Sequence, residues 1–230
     1  MRRARGFTLV ELAVTLAVVA LLLGMLVVPL NTQIDQHRIN ETQKQANLIV
    51  EAILGFTVAN GRLPCPATPG TPSATPGAGA ENKPALPATQ CGLTEGVVPW
   101  ATLCVAETDA WGRRYTYRVT LAFADDLAGG LQASFALGDN GNITVTSGGA
   151  LPVNIANNMA AIVVSHGKNG FGAWQTNGAQ VAGAAGDELE NANANGTFIS
   201  KIHEPMFDDV LAWLSPNVLK SRMVAAGRLP

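Results

Sequence analysis

The chain has 230 residues, enough for one domain of ordinary size plus an extension. Only 14% of them are charged while 47% are hydrophobic, and the formal net charge is -2. A mildly acidic chain without a basic stripe gives no general electrostatic reason to bind nucleic acid. Its three cysteines, Cys65, Cys91 and Cys104, match neither a zinc-ligand spacing nor a CxxC redox motif.

The apolar excess is concentrated in one block, Phe7 to Leu30, in which Glu11 is the single ionisable side chain. At ~1.5 Å rise per residue this block is long enough as a helix to cross a hydrocarbon core of ~30 Å. Arg2, Arg3 and Arg5 precede it, and the positive-inside rule keeps them cytoplasmic and sends everything after Leu30 across the membrane. The A-x-A site of an ordinary secretory signal is missing from GMLVVPLNTQ. Beyond Pro29, expected to kink the helix, Ala46, Ile49, Val50, Ile53 and Leu54 recur at spacings of three and four, which predicts an amphipathic continuation ending at Gly61.

The order RARG-FTLVE followed at once by the apolar run resembles the prepilin peptidase motif of the type IV pilin and type II secretion pseudopilin superfamily. The resemblance implies a leader over 1–6 cut after Gly6, N-methylation of the new terminus Phe7, and an assembly role for Glu11, whose carboxylate would meet the amine of a neighbouring subunit. A charge inside a membrane helix costs at least ~2.5 kcal/mol unless it is paired or reaches water, which gives such a meeting its physical motive. Removal of the three leader arginines would leave the mature chain at -2 - 3 = -5.

Residues 62–92 form the next segment, where PCPATPGTPSATPGAGAENKPALPATQ is dense in proline and glycine and reads as an irregular loop. Cys65 and Cys91 flank it, and a disulfide between them would close the excursion. Pairing of Cys91 with Cys104 is the alternative, since connectivity does not follow from sequence. Either requires an oxidising compartment such as the periplasm.

In the head, residues 93–230, YTYRVTL, LQASFAL, NITVTS and AAIVVS read as four strands of an antiparallel sheet, and FDDVLAWL and VLKSRMV as two short terminal helices near Pro205 and Pro216. The expected fold class is therefore α+β: a long N-terminal helix, transmembrane over 7–30 and amphipathic over 31–61, packed on an antiparallel β-sheet head with short terminal helices.

The segment TDAWGRRYTYRV is similar to the strand-entry pattern of major pseudopilins, carried here by Asp109, Trp111, Gly112, Tyr115 and Tyr117. Read from the residues alone, it is a turn followed by core aromatics. VVSHGKNGFGAWQTNGAQVAGAAGDELEN looks like an expanded pseudopilin calcium loop, and this resemblance offers Ser165, Asn169, Asp187, Glu188 and Glu190 as oxygen ligands for Ca2+. Asn169 stands where the family has an aspartate, and the stretch before Asp187 is longer than the family's. The alternative is a solvated acidic loop.

A hydrolase reading of Ser165 and His166 fails because neighbours in a strand face opposite ways and no GxSxG elbow occurs. GKNGFG lacks the flanking residues of a phosphate loop. The expectation is a non-enzymatic structural subunit of a type II secretion pseudopilus or a type IV pilus, single-pass in a bacterial inner membrane with its head in the periplasm. Its implied partners are prepilin peptidase, other pilin or pseudopilin subunits, the inner-membrane assembly platform and the lipid bilayer. A minor pilin acting in adhesion, DNA uptake or pilus priming is the alternative, and a membrane-anchored periplasmic enzyme the more distant one.

Overall fold

A computed structural model describes residues 8–84, 89–126 and 132–229, with the side chains of 23–30 excepted. The chain divides into two compact units, Met1–Asn40 and Glu41–Pro230. The fold class is α+β, as expected: an N-terminal helix is followed by a mainly antiparallel set of sheets and short helices.

Helix α1 covers Leu9–Asn60, 52 residues, and its helical assignment is unbroken through Pro29. In the first unit, every described side chain from Thr8 to Leu22 is exposed although most are apolar. No helix among the described residues is long and apolar enough to cross a membrane. Part of the expected span lies outside those residues, namely Phe7 and the side chains of 23–30.

In the second unit the amphipathic stripe is real. Ala46, Ile49, Ile53 and Leu54 are buried and share a core with Tyr115, Tyr117, Val163, Leu214, Leu219 and Met223. Gly61 ends the helix in the left-handed region at φ 76°, its N–H donating to Thr57 O at 2.8 Å. A side chain there would strike Gln132 O, so only glycine meets both the dihedral and the close approach.

The central sheet runs β1 (Glu95–Val97), β3 (Thr116–Val119), β6 (Ala161–Ser165) and β9 (Val210–Leu214) from edge to edge, every pair antiparallel. All five residues of β6 are buried. One face of the sheet packs on the α1 core, while Ile162, Val164 and Leu211 on the other meet Ile143, Val145, Met159 and Phe198. These last come from a second sheet of order β5 (Asn154–Met159), β4 (Ile143–Thr146) and β8 (Thr197–Ile199). Burial on both faces accounts for the unbroken apolar run of AAIVVS. A two-stranded pair joins β2 (Arg113–Arg114) to β7 (Trp174–Gln175), and the short helices α2 (Trp100–Leu103) and α3 (Leu121–Ala124) stand between strands along the chain.

Three expectations need correction. FDDVLAWL supplies β9 rather than a helix, because its apolar run is short and is held in five register pairs against β6. Of the two expected terminal helices, only the second forms among the described residues, α5 (Pro216–Ala225), capped by Ser215 Oγ accepting from Asn217 N with Pro216 at its start. LQASFAL forms no strand among its described residues. Ala133 N donates to Arg228 O and Ser134 N to Gly61 O, so its backbone bonds go to the C-terminal tail and to the end of α1 while Phe135 fills the core edge-on to Phe123. The sheets are also not wholly antiparallel, since β4 and β8 run parallel.

The proline-rich excursion is anchored rather than loose. Cys65 and Cys91 are joined by a disulfide. Arg62 donates to both oxygens of Glu81 at 2.9 and 2.8 Å, and Glu81 also accepts from Cys65 N at 3.0 Å. Arg114, fully buried, reaches in from β2 and donates to Pro69 O, Thr71 O, Ser73 Oγ and Glu107 Oε1 at 2.7 to 3.0 Å. Its guanidinium lies 4.5 Å from the centre of the Trp100 ring.

Candidate functional site

Two places carry chemistry, the start of α1 and a buried acidic cluster in the head. At the start of α1, Thr8 is the N-cap: Leu12 N donates to Thr8 O at 3.1 Å, and Glu11 N to Thr8 Oγ1 at 3.2 Å. Glu11 returns the contact, its Oε2 accepting from both Thr8 N and Thr8 Oγ1 at 2.9 Å. This reciprocal arrangement is a capping box. The TLVE string carries the S/T-x-x-E signal for it, which a reading centred on Glu11 as an assembly charge passes over. Gly6 and Phe7, the expected cleavage and methylation residues, lie outside the described residues.

The strand-entry pattern is a side-chain-built turn. Asp109 Oδ1 accepts from Trp111 N at 2.9 Å and Arg113 N at 3.0 Å, and Gly112 occupies φ 79° with its N–H on Asp109 O. Asp109 Oδ2 accepts from Ser165 Oγ at 2.6 Å. Burial raises the Asp109 pKa against the pull of these hydrogen bonds. Tyr115 and Tyr117 are fully buried, and the Tyr117 hydroxyl donates to Pro64 O at 3.1 Å.

The five residues offered for calcium do not converge. Ser165 is committed to Asp109. Asp187 pairs with Lys201 at 2.7 Å, and this hydrogen bond holds its carboxyl below the usual range. Glu190 accepts from Asn193 and Asn195, each at 2.8 Å. Only Asn169 and Glu188 are bonded to each other, Asn169 Nδ2 donating to Glu188 Oε1 at 2.7 Å. In the short α4 (Gly186–Glu190) successive residues point about 100° apart, which turns Glu188 away from Asp187, while Glu190, three residues on from Asp187, is held by different partners.

Glu188 instead turns inward to Asp208 and Asp209, and ligand oxygens of the three lie within 4.8 Å of one another. Asp209 is buried, Oδ2 accepting from Asn191 Nδ2 at 2.7 Å, while Asp208 Oδ2 accepts from Asn169 N at 2.8 Å. Asp208 Oδ1 and Asp209 Oδ1 are buried without a hydrogen-bond partner. Burial lifts the Asp209 pKa well above its ordinary value, and the negative charges of Glu188 and Asp208 push the same way. These two aspartates were hidden in sequence by the reading of FDDVLAWL as a helix. His166, fully buried beside them, is pushed down to about 4 by burial and by the Arg113 charge, so it is neutral at physiological pH.

No curated protein and no solved structure matches the chain. Residues 1–27 match the family described as the prokaryotic N-terminal methylation motif, the prepilin-type signature of type IV pilins and pseudopilins.

Proposed function

We propose that this chain is a structural filament subunit, cut after Gly6 by prepilin peptidase, N-methylated on Phe7, and polymerised with other pilin-like subunits through the first half of α1. The observation that carries the reading is the methylation motif over 1–27, running directly into α1. The described side chains at the start of the helix are apolar for the most part and exposed, and burial against lipid or sister helices would remove that surface from water. On this reading residues 7–30 anchor the subunit in the inner membrane before assembly, 31–61 join the head, and the head stands in the periplasm. The Cys65–Cys91 disulfide suits that oxidising compartment.

The secretion pseudopilus is favoured over the pilus by the Asp109 turn and the aromatic strand that follows it. Glu11 is the residue whose charge would answer a neighbour's amine. Expression of Glu11→Val in a strain lacking the native subunit tests this: the variant should insert, be cut after Gly6 and fail to enter filaments. Filaments of normal abundance would overturn the role of Glu11, and an uncut, unmethylated N-terminus on the wild-type chain by mass spectrometry would overturn the filament reading itself. Deletion of the secretion ATPase should abolish assembly, whereas dependence on a pilus ATPase would assign the chain to a minor pilin.

A further inference from the structure

In the central sheet, pairing sets Glu95 opposite Arg118 and Val97 opposite Thr116. Partners across a ladder share a face, so Glu95 and Thr116 lie on one side of the sheet, while Tyr115 and Tyr117, one residue out of step, enter the α1 core. Beside Glu95 and Thr116, the proline-rich excursion, the glycine-rich segment after β6 and the turn after α4 border a cavity of about 190 Å³, to which Trp174 and Gln180 contribute. A second cavity of about 220 Å³, lined by Val181 and Leu189, shares Gly172, Gln180 and Ala192 with the first. We propose that the two cavities form one groove for two consecutive units of a neutral saccharide, the first against Trp174, Glu95 and Gln180, the second against Val181 and Leu189.

Charge narrows the ligand first. Among the described residues lining either cavity, Glu95 is the single ionisable side chain, and Arg118 answers it, Nη1 donating to Oε2 at 3.2 Å. A lining that is neutral in sum offers an anion or a polycation no opposite charge. Its spare polar groups are acceptors: among the described residues nothing donates to Glu95 Oε1 or Gln180 Oε1, while Gln180 Nε2 is spent on Gly172 O at 2.9 Å. Such acceptors call for a ligand rich in hydroxyl donors. Thr116 Oγ1 lies 2.9 Å from His166 Nε2, and when that nitrogen donates, the Thr116 proton is left for the ligand. The negative face of the Trp174 indole suits the weakly positive C–H groups on the flat side of a sugar ring. Neither cavity alone reaches the ~300–1,000 Å³ of a small-molecule site, whereas the two joined do. An extended peptide fits less well, because the outer edges of β1 and β7 are already paired, Val97 with Ala67 and Trp174 with Gln180. The groove is independent of the filament reading, since none of its residues belongs to α1.

The test uses the full chain in a detergent without a sugar headgroup. It is applied to an array of neutral, sialylated and sulfated glycans and to a peptide array, then titrated by calorimetry with the preferred disaccharide and with its monosaccharides. Binding should be confined to neutral glycans, the disaccharide at least ~10-fold tighter than either monosaccharide. Trp174→Ala should weaken it at least ~10-fold, and Gln180→Ala, at an exposed position, by ~3–10-fold. Far-UV circular dichroism identifies any variant that fails to fold, and the other then decides. Absence of neutral glycan binding overturns the proposal, as does a preference for charged glycans, binding to peptides alone, or unchanged affinity in either folded variant. Equal affinity for a monosaccharide overturns the two-unit groove.

Discussion

Replacing Cys65 and Cys91 together by alanine releases a closure spanning 26 positions. In the chain-entropy account, a loop of that size restricts the unfolded ensemble by about 3.5 kcal/mol at 25 °C. The native excursion should lose little besides the bond, because the Arg62–Glu81 pair and the Arg114 contacts hold it independently. Urea unfolding followed by tryptophan fluorescence is the natural assay, since Trp100, Trp111, Trp174 and Trp213 all report on the head. With an m-value of about 2 kcal/mol/M, the midpoint should fall by ~1.7 M at unchanged slope. A fall below ~0.5 M would refute the reasoning, because the cross-link would then constrain an unfolded chain that is already compact.

Arg114→Met should cost about 3 kcal/mol, since it leaves Pro69 O, Thr71 O and Glu107 without their shared donor. Limited proteolysis should then cut first near residues 69–73, and unchanged protease resistance would count against Arg114 as the anchor. Asp109→Asn should be tolerated, because Oδ1 can keep the two backbone donors and the amide can donate to Ser165 Oγ. The Asp109 carboxyl is raised in the folded state, so its contribution to stability is fully present below the unfolded pKa and is lost as pH rises through the folded value. The variant should therefore gain on wild type as pH is taken from ~4 toward 7, and parallel melting curves across that range would disprove the shift.

The legible parts of the fold were those written in one period or one motif. The stripe through Ala46, Ile49, Ile53 and Leu54 repeats every three or four residues and had no competing reading. AAIVVS was too short and too β-branched for a helix, and it is the buried central strand. VLAWL was ambiguous for a physical reason: five apolar residues satisfy either period, and only the edge of β6 decides between them. β5, whose sequence NIANNM holds three asparagines and one β-branched residue, has little strand propensity and is held by pairing to β4, so nothing local announced it. The acidic cluster was illegible for a related reason. Glu188 stands about twenty positions before Asp208 and Asp209, and only the folding of α4 against the approach to β9 brings them together. Arg113 and Arg114 are likewise adjacent with nothing local to tell them apart, and only the fold buries Arg114 completely.

On the proposed function, the capping box at Thr8 and Glu11 would change what filament growth has to accomplish. This carboxylate already has two donors, so meeting a neighbour's amine, as proposed, would be an exchange of partners rather than the rescue of a stranded charge. The driving force for adding a subunit at this point would then be the difference between two satisfied states. A joint of that kind can be made and unmade many times, as a filament that extends and retracts would require.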